Sequence, residues 1–448
     1  MKDAVEARSA QPAAGEPRRT VPALPERTSL VDELHNRPPS ELNAPVRLSH
    51  LAVRSGEAPA DDLERAHLSE LCRRFSAPLP AEGAGHHSVP LGRLHLRWER
   101  HTEFSTYTFS LPGAAEELFA ANAADLLPGD WLANMPGSVI GAVHLVVEPD
   151  DGPPRGDDDL TRLFEGHRLV GSFVSRRRAQ VWSAFRLHGD GFGRILVRTQ
   201  AMAPEKLGRL VQRLLEIDTY RTTALLALPV ARATAPVLTR LESELATLTA
   251  KAGTVADLAE QRTLLDALCR LAAEIERLSA ENGYRFGAAR AYSGIVTDRI
   301  AALREETLDD LQPIGDFLRR RFAPAMQTCF SVQDRQERLS AHIARAVDLL
   351  RARVDVALEE QNQTLLASMD RRARMQLALQ QTVEGLSTFA ISYYAVGLLN
   401  YVFKALERAV PFLRADVLTA LALPVVVLTV WLSVRRLRHT LGERDRTP

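Results

Sequence analysis

The sequence predicts an α+β domain with a mainly antiparallel sheet, then a long helical bundle or coiled-coil stalk, then a C-terminal two-helix transmembrane hairpin. Three observations carry this. Short stretches of alternating polarity between residues 94 and 199 have the period of half-buried strands. Leucines after Pro236 recur at spacings of three and four. Two runs near the C-terminus, Gly385–Phe403 and Val417–Val434, hold 19 and 18 residues and no charge. As helices they would be roughly 27–28 Å long, close to the ~30 Å hydrocarbon core of a bilayer.

Residues 1–27 are rich in Ala, Pro, Arg and Glu, have no periodicity, and are expected to be disordered. They lack an apolar h-region, so no cleavable signal peptide is expected. The α+β domain is placed over 28–230. Ser29 and Asp32 can cap a short helix that Pro38 and Pro39 stop. Asp61–Phe75 places Leu63, Ala66, Leu71 and Phe75 at helical spacing, and Pro78–Pro90 reads as a loop. Leu94–Glu99 and Phe104–Leu111 alternate and form a hairpin; a helix is expected around Ala114–Leu127. Ser138–Glu148 is a buried strand. Asp157–Asp159 cap a short helix, and strands follow at Leu169–Ser175, Ala179–Leu187 and Gly193–Thr199. The turn Gly189–Gly193 joins the last two.

The helical region is placed over 236–383. Leu238, Leu241, Leu245 and Leu248 form one seam; Leu264, Leu268, Leu271, Ile275 and Leu278 form a second; Leu339, Ile343, Val347, Leu350 and Val354 form a third. Turns near Gly253, Gly283 and Pro324 would let the helices fold back into one antiparallel bundle. The same seams would also serve a coiled coil between chains.

The first membrane run spans 385–403, a short loop 404–416, the second run 417–434, and a basic tail 435–448. Arg371, Arg372 and Arg374 precede the hairpin and Arg435, Arg436 and Arg438 follow it, against Lys404, Arg408 and Arg414 in the loop. This bias places both termini in the cytoplasm and makes the chain a multi-pass membrane protein. The first run carries Tyr393, Tyr394, Asn400 and Tyr401, which suit packing against the second helix or a neighbouring subunit, or a pore lining. Pro424 in the second run is tolerated as a kink.

A formal net charge of zero gives no electrostatic footprint for nucleic acid, and no nucleic acid is expected as a partner. Cys72, Cys269 and Cys329 are too few and too scattered for a disulfide framework. No phosphate-binding loop, dinucleotide fingerprint, zinc-protease helix or nucleophile elbow occurs. Ten of the twelve histidines precede residue 190; His35, His50, His67, His86, His87, His95, His101 and His144 among them lack tight ligand spacing, so no metal and no cofactor is expected. The densest polar cluster is Glu99, Arg100, His101 and Glu103, with His35 and Arg37 upstream. A carboxylate beside a histidine suits acid–base work, but the composition favours a salt-bridged strand edge.

Four motifs in order resemble one bacterial family of unknown function: ELHNRP (Glu33–Pro38), NAPVRLSHLA (Asn43–Ala52), WERHTEFSTYTF (Trp98–Phe109) and EGLSTFAISYYAVGLLNY (Glu384–Tyr401). Its members are described as predicted membrane-anchored proteins and are sometimes labelled egg-lysin-like. The resemblance implies an inner-membrane anchor and carries over no functional residues. The architecture also resembles magnesium channels of the CorA type, which carry Gly-Met-Asn at the end of the first span. Gly397-Leu398-Leu399-Asn400 departs from that signature. The expectation is therefore a membrane-anchored cytoplasmic scaffold, non-enzymatic, with the bilayer as partner and self-association through the helices. An oligomeric channel or transporter is the alternative, and a metal-dependent or hydrolytic enzyme the third reading.

Overall fold

The computed structural model describes Leu24, Arg27, Val31 and residues 40–54, 60–409 and 414–444. His35, Arg37 and the expected caps Ser29 and Asp32 lie outside the described residues. The chain divides into two compact units: Met1–Thr247 with Arg270–Ala344, and Leu248–Cys269 with Arg345–Pro448.

The first unit is built on a nine-stranded sheet. Its strands are β1 (Val46–Arg54), β2 (His86–Leu91), β3 (Leu94–Arg100), β4 (Ser105–Pro112), β5 (Ser138–Pro149), β6 (Val170–Val174), β7 (Ala179–Ser183), β8 (Gly193–Thr199) and β9 (Glu306–Thr307), in the order β2-β3-β4-β1-β5-β8-β7-β6-β9. Every pairing is antiparallel except β5 with β8, so the sheet is mixed. Three strands depart from the sequence expectation. β1 mixes Arg47, Ser49 and His50 with aliphatic residues and shows no strand periodicity; as a central strand between β4 and β5 it is buried on both faces. β2 lies inside the expected loop Pro78–Pro90 and tolerates Pro90 because it is an edge strand, where a missing N–H costs no ladder bond. β9 is two residues long and has no periodicity to read.

Helix α1 (Ala60–Arg74), a 3-10 turn (Ala123–Leu126) and α2 (Gly129–Ala133) cover one face of the β2–β1 half. Trp98, Tyr107, Phe109, Leu71 and Trp131 are fully buried there. The helix expected at Ala114–Leu127 is absent apart from that turn. Phe119, at φ +65°, joins the core under α3 (Asp157–Leu163), while Ala123, Ala124 and Leu127 join the core under α1. One helix cannot present a single face to two cores, so the segment breaks.

Helix α4 (Pro204–Leu225) buries Leu207, Leu210, Val211, Leu214 and Ile217 and packs across β5. It leads into α5 (Ala227–Thr254), α6 (Leu258–Leu303) and α7 (Ile314–Ala409). Within the first unit these three form an antiparallel bundle. Asn282 Nδ2 donates to Thr234 Oγ1 at 3.0 Å, Arg335 Nη2 to Glu242 Oε2 at 2.6 Å, and Gln336 Nε2 to Ser279 Oγ at 2.9 Å. The seam residues Leu238, Leu241, Leu271, Ile275, Leu339 and Ile343 are buried inside the chain itself. Buried Asn282 and Gln336 interrupt the apolar seam, a device that fixes register. Gly283 and Pro324 do not break their helices; both lie within continuous α6 and α7.

The second unit holds residues 248–269, α7 from Arg345, and α8 (Ala415–Arg444). Thr419 Oγ1 donates to Asn400 Oδ1 at 3.3 Å, which pairs the end of α7 with the start of α8. Among the described residues, three helical segments are long and apolar enough to cross a membrane: Pro204–Thr254, Ile314–Leu406 and Ala415–Val434. The first buries its apolar face in the protein, whereas the C-terminal part of the second and the third leave large apolar residues exposed, Phe389 at 76% and Leu421 at 73%.

Candidate functional site

Strand alternation builds a polar floor beneath α4. Odd positions of β4 (Tyr107, Phe109, Leu111) and even positions of β3 (Leu94, Leu96, Trp98) enter the core under α1. The other face of the same strands therefore carries His95, Arg97 and Glu99 opposite Ser110, Thr108 and Thr106. β1 adds Leu48 and His50, in register with Ser110 and Thr108. Gly208, Gln212, Leu215, Glu216, Thr219 and Tyr220 of α4 form the roof. Between floor and roof lies a cavity of about 80 Å³. It shares Ser40, Leu42, His95, Arg97, Glu99 and Ser110 with a groove of about 490 Å³ along β2.

His50 sits at the centre of the floor. Its Nδ1 bonds Thr108 Oγ1 at 2.8 Å and its Nε2 bonds Thr219 Oγ1 at 2.9 Å. Hydroxyls can donate or accept, so both nitrogens are satisfied by a neutral ring. Burial pushes the His50 pKa down to about 4, against the pull of Asp218 and Glu99. His95 bonds Ser88 Oγ at 2.8 Å, and burial lowers its pKa as well. The two carboxylates of the cavity are each paired: Glu99 with Arg97 at 2.8 Å, and Glu216 with Arg299 of α6. His101 stacks on Phe104 with ring centres 4.6 Å apart.

The polar cluster expected from the sequence is thus divided. Glu99 and His101 line the cavity. Arg100 projects from the opposite face of β3, its backbone N–H donating to Gly85 O at 2.8 Å. Glu103 forms a buried two-pronged ion pair with Arg285 of α6, at 3.2 and 2.6 Å. Of the polar residues in the charge-free run 385–403, Asn400 is bonded to the start of α8, whereas Tyr393, Tyr394 and Tyr401 are exposed. Sequence reasoning missed the α4 roof. Its signal was the spacing 208, 212, 215, 219, which places one helix turn after another over the sheet.

Chemically, the cavity offers hydroxyls, imidazoles and one guanidinium beside the apolar Leu42, Leu48, Val211 and Leu215. This arrangement suits recognition of a small polar group. Acid–base work by Glu99 or Glu216 would first require breaking an ion pair.

Gly208 lets the backbone of Ser40 pack directly against α4 at the cavity. A Cβ there would overlap the carbonyl oxygen of Ser40, backbone that cannot swing aside as a side chain can. Alanine would gain about 1 kcal/mol of helix propensity. Overpacking costs about 1–3 kcal/mol, and a clash with backbone lies at the upper end. Gly208→Ala is therefore expected to destabilise the first unit by about 1–2 kcal/mol net and to displace Ser40–Leu42. Denaturant unfolding followed by tryptophan fluorescence measures this; a stabilised variant would show that the strap yields without cost.

The model of a family described as a protein of unknown function (DUF3422) matches residues 22–441. No curated protein matches the chain.

Proposed function

The chain belongs to this family of unknown function over nearly its whole length, and from that premise we propose that it is a membrane-anchored interaction protein. In this reading the hairpin of α7 and α8 spans an inner (cytoplasmic) membrane with both termini in the cytoplasm. The sheet domain then presents the cavity beneath α4 to a polar ligand or a partner's side chain. One observation carries the reading: the charge-free runs 385–403 and 417–434 expose Leu386, Phe389, Leu398, Leu421, Val425 and Leu428, each more than half accessible. A contiguous apolar surface of that extent requires a nonpolar cover. Lys and Arg outside the hairpin support the orientation.

The contact between Asn400 and Thr419 supports anchoring over conduction, because it commits the amide oxygen of the first run to the second helix. Self-association belongs to the same reading. Val356, Leu365, Leu366, Met369, Leu379 and Val383 of α7 are exposed between charged residues, the composition of a helix that pairs with copies of itself.

The test is fractionation. The full chain should remain with membranes after an alkaline carbonate wash, and a chain ending at Val383 should move to the soluble fraction. Release of the full chain by carbonate would overturn the anchor. The mass of the detergent-solubilised particle then reports self-association, and a monomer would remove that part of the reading.

A further inference from the structure

We propose that Glu165, His167 and His188 form a binding site for a divalent transition metal of the zinc class. The site lies in the first unit, away from the cavity beneath α4, and does not rest on the membrane reading.

Two turns create it. After α3, Gly166 N–H donates to Thr161 O at 2.8 Å and His167 N–H to Phe164 O at 3.0 Å, closing the helix C-terminus. Glu165 and Gly166 both take left-handed backbone there, at φ +53° and +74°. This closure presents Glu165 and His167 side by side. The turn between β7 and β8 supplies His188, with His188 N–H bonded to Phe192 O at 2.9 Å and Gly191 N–H to His188 O at 2.9 Å. One ligand atom from each of the three residues lies within 4.8 Å of the others.

The independent observation is the state of His188. Its side chain has no solvent exposure, its Nδ1 faces the Glu165 carboxylate, and its Nε2 has no hydrogen-bond partner. A buried ring nitrogen without a partner calls for an explanation. Its Nδ1 lies 3.4 Å from Glu165 Oε2. That separation is about the edge of a tetrahedron whose metal–donor bonds are ~2.1 Å. A cation between the two groups would satisfy both. His167 closes the third side, its ring centre 5.2 Å from that of His188.

The donor set selects the ion. Two imidazoles and one carboxylate suit zinc, iron(II) or their neighbours; calcium and magnesium prefer oxygen throughout. Three protein ligands leave coordination positions for water or a ligand. Arg194 competes for the carboxylate: its Nη2 donates to Glu165 Oε1 at 2.9 Å. The bond occupies one oxygen and orients the other toward His188. It thus acts as an outer partner that fixes a ligand's direction. Gly189 N–H also donates to Oε2, at 3.1 Å. Oε2 retains a lone pair for a cation.

The experiment uses the full chain, purified in mild detergent and stripped with a chelator, then dialysed against Zn²⁺ and, separately, Co²⁺. One equivalent of Zn²⁺ per chain is expected, and visible absorption of bound Co²⁺ should report mixed nitrogen and oxygen ligation. Glu165→Gln keeps the side chain's shape at an exposed position, so it should fold as the parent does by circular dichroism. It and His167→Ala should each weaken Zn²⁺ binding by more than the ~10–100-fold that changes to outer partners cost. A His86→Ala/His87→Ala variant on the remote groove should bind as the parent does. Absence of stoichiometric uptake by the parent, or unchanged affinity in both site variants, would overturn the proposal. Loss confined to the His86/His87 variant would place the metal in the groove instead.

Discussion

Arg285→Ala is expected to destabilise the first unit by about 3–5 kcal/mol, the range for removing one partner of a buried ion pair. The Arg285 and Glu103 side chains are only 11% and 7% exposed. Two parallel N–H···O bonds join them, so the geometry is the strong, fork-like kind. Removing the guanidinium leaves a carboxylate in a setting of rings: Phe104, Tyr220 and Tyr292 pack edge-to-face or stacked around it. Burial, and then the charge of Glu103, hold the Tyr292 hydroxyl protonated, so it offers the carboxylate a neutral hydrogen-bond donor and no positive charge. Urea unfolding of the full chain, read by tryptophan fluorescence, measures the effect. Trp98, Trp131 and Trp182 all report from this unit. Two further results are expected from the same cause. Glu103→Ala combined with Arg285→Ala should cost less than the sum of the single changes. The penalty of Arg285→Ala should also shrink toward acid pH, where the orphaned carboxylate takes up a proton. Additive single changes with a pH-independent penalty would mean that the pair contributes packing alone.

Acid should destabilise the same unit steeply between pH 6.5 and pH 4. His50 and His144 both fall from 6.5 to about 4 on folding, in each case chiefly because burial disfavours the charged ring. His50 faces Asp218, Glu99 and His101; His144 faces Asp190, Asp125, Arg194 and His188. The sign follows from proton binding. Below pH 6.5 the unfolded chain protonates these rings while the folded chain keeps them neutral. Stability is therefore full above pH 6.5, falls through the window, and stops falling below about pH 4. A difference of 2.5 between 6.5 and 4, at 1.36 kcal/mol per pH unit, is about 3 kcal/mol for each ring. Denaturant midpoints at pH 7.5, 6, 5 and 4.5 test this, and His50→Gln should remove the His50 share of the fall, up to about 3 kcal/mol. A flat profile from pH 7.5 to 4.5 would show that these rings charge in the folded protein.

The sequence by itself determined the elements whose periodicity is local. Leu94–Glu99 and Phe104–Leu111 alternate, and they are β3 and β4. The leucine seams after Pro236 are buried seams of α5, α6 and α7. The charge-free runs fall on the end of α7 and on α8, as composition required. Two of the cavity's lining residues were legible too: Glu99 and His101 lie where polar and aromatic residues are densest in the sequence.

Tertiary structure alone decided the rest. Burial of both faces makes β1 a central strand although its sequence mixes Arg, Ser and His with aliphatics; no periodicity reveals a strand whose polar groups are satisfied by β5 and α4. The segment 114–127 has helical composition, yet two separate cores pull it apart. Glu103, which looked like a partner for His101, pairs with Arg285, 182 residues away. Glu165, His167 and His188 come together only because a helix end and a hairpin turn meet. Residue spacing records neighbours along one element, whereas a site built by two elements depends on how the sheet brings them together.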